Sequence, residues 1–234
     1  MRLDRFVSHA AGVSRGVARD LVRRGRVQVD GVKIKRPATP ISAQANVCLD
    51  GCPLAAPRPL YLMLNKPPGV VSATVDDRQP TVISLLPTSL AGRVHPVGRL
   101  DKATTGLLFL TDDGAWSHRV TAPRYDCAKV YRATLAEPLA ADADARLAAG
   151  LMLRGESKPI RPVRLERLSA TDVRVEVTEG RYHLVRRLFG ALGNRVLTLH
   201  RERIGGVVLD PNLGPGHWRE LTDDERLCFS PRAD

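Results

Sequence analysis

Hydrophobic positions at the start of the chain recur at helical spacing. Leu3, Phe6, Val7, Ala10 and Ala11 fall on one face of a first helix, and Gly12 stands where it should end. Ser14 is placed to cap a second helix, whose apolar face is Val17, Ala18, Leu21 and Val22, with Gly25 as its stop. The period then shortens. Val27-Gln28-Val29-Asp30-Gly31-Val32-Lys33-Ile34 predicts strand, Asp-Gly turn, strand. Pro53-Leu54-Ala55-Ala56-Pro57-Arg58-Pro59 comes next. Three prolines in seven residues suit neither a helix nor a central strand, so this stretch predicts a linker.

Beyond the linker the apolar runs are short. Tyr61–Asn65, ending at Lys66-Pro67-Pro68-Gly69, predicts a strand, as do Leu107–Leu110, Val130–Leu135 and Val173–Val177. Asp112-Asp113-Gly114 predicts a hairpin turn. Leu184–Leu192 predicts a helix with Leu184, Val185, Leu188, Phe189 and Leu192 inward, stopped by Gly193-Asn194. Strands outnumber helices and turns are frequent. The pattern implies an α+β chain of two domains, residues 1–57 and 58–234, the larger built on a largely antiparallel mixed sheet flanked by helices.

Composition narrows the function classes. The 234 residues hold 36 Lys and Arg against 25 Asp and Glu, a net charge of +11. Hydrophobic residues make up 43%, enough for a core, so this is no basic tail. Such charge on a folded protein points to a polyanion, most often nucleic acid. It is unevenly spread: residues 1–58 carry +7 and the other 176 carry +4. Aromatics are 4%, which disfavours a binding sheet tiled with stacking rings. The N-terminus has no apolar signal segment, and no apolar run could span a bilayer. Cys48 and Cys52 form a lone C-x3-C without a second pair, so reduced thiols and a cytoplasmic setting are expected, with no metal.

The strongest chemical signal is Gly98-Arg99-Leu100-Asp101-Lys102-Ala103-Thr104-Thr105-Gly106-Leu107-Leu108. Asp101 falls in a polar loop before an apolar strand, where Arg99 and Lys102 favour its ionised form. An Asp in such a loop equally often caps a turn. In the first domain, Arg15, Arg19, Arg23 and Arg24 surround the second helix, a pattern suited to phosphates.

Two resemblances connect these features. Leu3-Asp4-Arg5-Phe6-Val7, Ser14-Arg15, Ala18-Arg19, Leu21-Val22 and Val27-x-Val29-Asp30-Gly31 match the S4 RNA-binding domain. The Asp101 segment resembles the catalytic motif of the pseudouridine synthases, in the branch acting on small-subunit (16S) ribosomal RNA. Leu64-Asn65-Lys66-Pro67-x-Gly69, Lys129-x-Tyr131 and Glu179-Gly180-Arg181-Tyr182-His183-Leu184-Val185-Arg186-Arg187 match that family's other motifs in order. Asp112–Arg119, His200–Gly206 and the short stretch after Leu221-Thr222 are closer to the 16S branch than to the 23S enzymes. Leu184 departs from the pattern, since relatives commonly carry Gln there.

The resemblance implies isomerisation of uridine to pseudouridine, without cofactor or metal, by base flipping and an essential aspartate. It implies Asp101 as that aspartate, Arg186 as its basic partner, Tyr131 stacked on the flipped base, and Arg99 near the vacated position or a phosphate. Asn65, Lys66 and Pro67 are expected to shape the floor, and Arg2, Arg15, Arg19, Arg23, Arg24, Lys33 and Lys35 to meet RNA. The expected partner is 16S rRNA or the assembling small subunit, with the chain a monomer and no membrane involved. A 23S-directed synthase and a non-catalytic S4-domain assembly factor are the alternatives; intact Asp101, Tyr131 and Arg186 favour an enzyme. Of the remaining residues, His118 and His183 are expected to be structural or RNA-contacting rather than general bases, and Trp116 to pack. Arg201 and Arg203 with Glu202 read equally as a surface ion pair or as RNA contacts.

Overall fold

The computed structural model describes residues 1–42, 44–55, 58–161 and 163–230. The chain divides into two compact units, Met1–Pro59 with Thr88–Arg93, and Leu60–Pro87 with Val94–Asp234.

In the first unit, helices α1 (Leu3–Ala10) and α2 (Arg15–Arg23) form as the periodicity predicts, and the Ser14 hydroxyl accepts from the Val17 amide to start α2. Leu3, Phe6, Val7, Ala18 and Val22 close over Val27 and Val47 of the small sheet and Ile41 of the loop before β3. Val17 does not join them. It is about half exposed, because the buried stripe of this two-turn helix is filled by Ala18 and Val22. Strands β1 (Val27–Val29), β2 (Val32–Lys33), β3 (Val47–Leu49) and β4 (Cys52–Pro53) lie in the order β2-β1-β3-β4. Two Asp-Gly turns, Asp30-Gly31 and Asp50-Gly51, make the hairpins, all four residues at positive φ. The second turn corrects the linker's start. Pro53 pairs with Cys48 on an edge strand, where a missing amide costs no ladder bond, and the Leu54 amide donates to Val47. Ala56 and Pro57 lie outside the described residues. A short helix α3 (Thr88–Ala91) falls in the segment grouped with this unit.

The second unit is a mixed sheet. Its strands are β5 (Tyr61–Lys66), β6 (His95–Val97), β7 (Thr105–Thr111), β8 (Lys129–Leu135), β9 (Arg164–Arg167), β10 (Asp172–Val177), β11 (Val196–Ile204), β12 (Val207–Val208) and β13 (Trp218–Glu220). Among the described residues the order is β13-β5-β7-β11-β8-β10-β9, with β6 on β7 and β12 on β11. Pairing is antiparallel except between β7 and β11, which run parallel. The α+β, largely antiparallel expectation holds.

Helices α4 (Gly114–Thr121), α5 (Ala143–Ala149), α6 (Leu184–Ala191) and α7 (Asp223–Leu227) complete the unit. One core joins the inward faces of β8, β10 and β11 to Leu147 of α5 and Leu184, Val185, Leu188 and Phe189 of α6. Another gathers Met63, Leu107, Phe109, Trp116 and Phe229, so Trp116 packs as expected. Asp112-Asp113-Gly114 is not a hairpin turn. Asp113 Oδ1 accepts from the Ala115 and Trp116 amides and caps α4, while Asp112 Oδ1 accepts from the Leu60 amide. The same carboxylate chemistry serves a turn or a helix start, and here it leads into a helix that buries Trp116 and Val120. Among the described residues no helix is long and apolar enough to cross a membrane.

Candidate active site

The loop between β6 and β7 carries Asp101, and it is tied down on both sides. The Ser72 hydroxyl donates to the Leu100 carbonyl (2.9 Å) and accepts from the Leu100 amide (3.0 Å). The fully buried Lys66, last residue of β5, donates through Nζ to the carbonyls of Thr104 (2.8 Å), Pro67 (3.0 Å) and Lys102 (3.2 Å). Burial pushes its ammonium down to about 8; the charge of Asp101 opposes that fall and the nearby Arg201 adds to it. These bonds place Lys66 against the loop that carries Asp101. Asn65 instead turns aside, donating to the Leu213 carbonyl at 2.7 Å.

Asp101, Arg99, Tyr131, His183, Leu184 and Arg186 line one cleft. Asp101 is half-buried, its side chain 34% exposed, rather than sealed. The His183 ring stands beside it, Nε2 3.3 Å from Asp101 Oδ1. Arg186 reaches the cleft, but its guanidinium donates to the Val196 carbonyl (3.0 Å) rather than forming that contact. His183, expected to be structural or RNA-contacting, faces Asp101: its backbone is left-handed (φ 49°) at the start of α6, and that turn presents the ring to the carboxylate. The Tyr182 ring lies against it, centroids 3.8 Å apart and planes at 17°. Leu184 is buried in the core beneath, so the departure from Gln puts an apolar side chain in the cleft wall.

Arg201 reads in sequence as a surface or RNA-facing residue, and the fold places it inside. It is 4% exposed on β11. Its Nε donates to the Leu107 carbonyl (2.7 Å) and its Nη1 to the Tyr131 hydroxyl (3.2 Å). A guanidinium only donates, so the phenol oxygen accepts from it and its own proton remains for another acceptor. Bulges on either side of Leu199–Arg201 break the alternation that would have marked Arg201 as inward. Arg203 and Glu202 are the polar residues of the expectation: Arg203 pairs with Glu176, and Glu202 with Arg174 at 2.7 Å. Gly106 makes the approach possible. It faces Arg201 across the parallel pair at φ +100°, and a Cβ there would lie 2.3 Å from the Arg201 carbonyl oxygen.

In the first unit the basic residues are not all loose. Arg2, Arg15 and Arg19 converge on the fully buried carboxylate of Asp4, at 2.8, 3.5 and 3.4 Å. Burial opposes that charge, but the Arg contacts outweigh it and hold the carboxyl below its ordinary range. Arg23 pairs with Asp20, whereas Arg24, Lys33 and Lys35 are exposed.

Comparison with known proteins agrees with both units. Residues 60–191 match the RNA pseudouridylate synthase family and residues 1–47 the S4 domain. The chain is 48% identical over 226 residues to "Ribosomal small subunit pseudouridine synthase A" of Salmonella typhimurium, covering 96% of this chain and 98% of that one. It is 47% identical to the Escherichia coli protein of that name, with the same coverage. A solved structure described as a pseudouridylate synthase superposes with a TM-score of 0.73 at 42% identity, over 98% of this chain and all of the other. The chain, an S4 domain followed by a mixed-sheet body, belongs to the RNA pseudouridylate synthase family.

Proposed function

We propose that this protein isomerises a uridine of small-subunit (16S) ribosomal RNA to pseudouridine, at the position-516 type of site, with Asp101 as the essential carboxylate. The observation that carries the reading is the single cleft in which Asp101 meets Tyr131, His183 and Arg186, in a chain whose relatives bear that name. The names of its relatives support the substrate. The basic first unit suits a ribosomal RNA or assembling-subunit partner in the cytoplasm, with the protein acting as a monomer.

The reaction breaks the N1–C1′ bond and forms C5–C1′, while C5 loses a proton and N1 gains one. Atoms and electrons balance within the nucleotide. The target base must leave its stack, at a cost of a few kcal/mol that is smallest in an unpaired segment. The flipped base stacks on Tyr131, whose hydroxyl, fixed by Arg201, has its proton free to donate into the cleft. The Asp101 carboxylate acts at the sugar or the base, as nucleophile or as acceptor of a sugar proton; all three routes start from the ionised group that Ser72 and Lys66 hold in place through its loop. Arg99, exposed at the cleft, takes the vacated position or a phosphate, and Arg186 supplies positive charge beside Asp101. Residues 1–57 hold RNA through Arg2, Arg15, Arg19, Arg23, Arg24, Lys33 and Lys35, and residues 58–234 carry the chemistry.

Asp101→Asn tests the assignment, because it keeps the shape and removes the charge. Tritium release from C5-labelled uridine in 16S transcripts is expected to fall by about 10³-fold or more, with RNA binding kept. Wild-type release by the variant would refute the role of Asp101.

A further inference from the structure

Tyr182 is 77% exposed, although it adjoins the cleft and is held firmly. Its carbonyl accepts from Arg187 Nη1 (3.3 Å), and Arg187 is itself fixed to Glu156 (2.7 Å) and to the Arg154 carbonyl (2.9 Å). On the other side Arg181 is locked by Glu179 (2.6 Å) and by the carbonyls of Lys158 and Pro159 (both 3.0 Å). The next residue is His183, in its left-handed turn, with Nε2 on Asp101. One face of the Tyr182 ring is covered by the His183 ring in near-parallel contact, and most of the rest is left to solvent. An aromatic ring left in water, on a backbone pinned from both sides and backed by a second ring that contacts Asp101, is a ready stacking surface.

We propose that the Tyr182–His183 ring pair is a subsite for the nucleobase that neighbours the flipped uridine on the RNA strand. The inference rests on the uridine-isomerising reading above. Extruding one base strips its neighbours of a stacking partner, and a rigid ring beside the cleft replaces it without an ordering cost. The chemistry favours RNA over an apolar protein segment, because the cleft it adjoins also presents the cationic side chains of Arg99 and Arg186 to a phosphate backbone. Every base has a π-face, so the subsite contributes affinity and register rather than sequence choice.

The test uses full-length protein and a 16S transcript carrying 2-aminopurine on one side or the other of uridine 516. Wild type and Tyr182→Phe are expected to quench the fluorophore at one of the two positions. Tyr182→Leu and Tyr182→Gln are expected to lose that quenching and to bind about 10- to 100-fold more weakly, with the loss falling mainly on KM. Both variants change an exposed side chain, and a wild-type melting temperature verifies that each is folded. Wild-type quenching and KM in either folded variant would overturn the subsite. Absence of tritium release by the wild-type protein would overturn the functional reading and the subsite with it, so the two failures are told apart.

Discussion

Gly106 and Arg201 form one residue-scale unit. A Cβ at position 106 would collide with the backbone of Arg201, and the φ of +100° is itself strained for any L side chain. Gly106→Ala is therefore expected to destabilise the fold by about 3 kcal/mol or more, read as a lower urea midpoint. It should also depress turnover, because displacement of β11 moves the guanidinium that holds the Tyr131 hydroxyl. A variant with wild-type midpoint and turnover would show that β7 and β11 yield freely. Residues of this kind differ in how legible they are in sequence. Asp101 stands out because its motif is local: a Gly-bounded polar loop leading into an apolar strand. Lys66 is legible as part of a motif, but two of the carbonyls that hold it belong to a loop distant in sequence. His183 and Arg201 are not legible, for the same reason: their partners Asp101 and Tyr131 lie on other elements.

At the scale of elements, the strands with one buried face are readable. β8 and β10 alternate because one side meets α5 and α6. β11 is hidden by its two bulges, and α4 by an Asp-Gly pair that fits a turn as well as a helix cap. The pairing of α1 with α2 has its own electrostatic lock. Three guanidinium groups from Arg2 and α2 meet at Asp4, whose carboxyl is held below its ordinary value of 3.8. A depressed carboxyl stabilises the fold above its unfolded pKa, and that contribution disappears as pH falls through the lower folded value. Asp4→Asn is thus expected to cost about 1–3 kcal/mol at pH 7. The gap between variant and wild type should close as the pH drops below 3.8, as followed by urea unfolding across pH. A gap independent of pH would assign the effect to packing instead.

For the whole molecule, the net charge of +11 resolves into cations with different duties. Arg201 and Lys66 are buried under the candidate site, Arg2, Arg15 and Arg19 share Asp4, and Arg24, Lys33 and Lys35 stand exposed. If the exposed set meets phosphates, Arg24→Gln with Lys33→Gln and Lys35→Gln should flatten the dependence of log affinity on log salt. The expected change is roughly 0.7–0.9 for each phosphate no longer neutralised, about 2–3 in all, by filter binding over a salt series. An unchanged slope would remove these three from the interface. The pairing of β7 with β11, strands far apart in the chain, also implies an order in time. Asp101 and Tyr131 leave the ribosome well before Arg201, and β13, which closes the edge of the sheet on β5, comes later still. Translation therefore delivers the basic first unit before the strand that carries Arg201, so on the proposed reading a nascent chain can hold RNA before it is able to modify it.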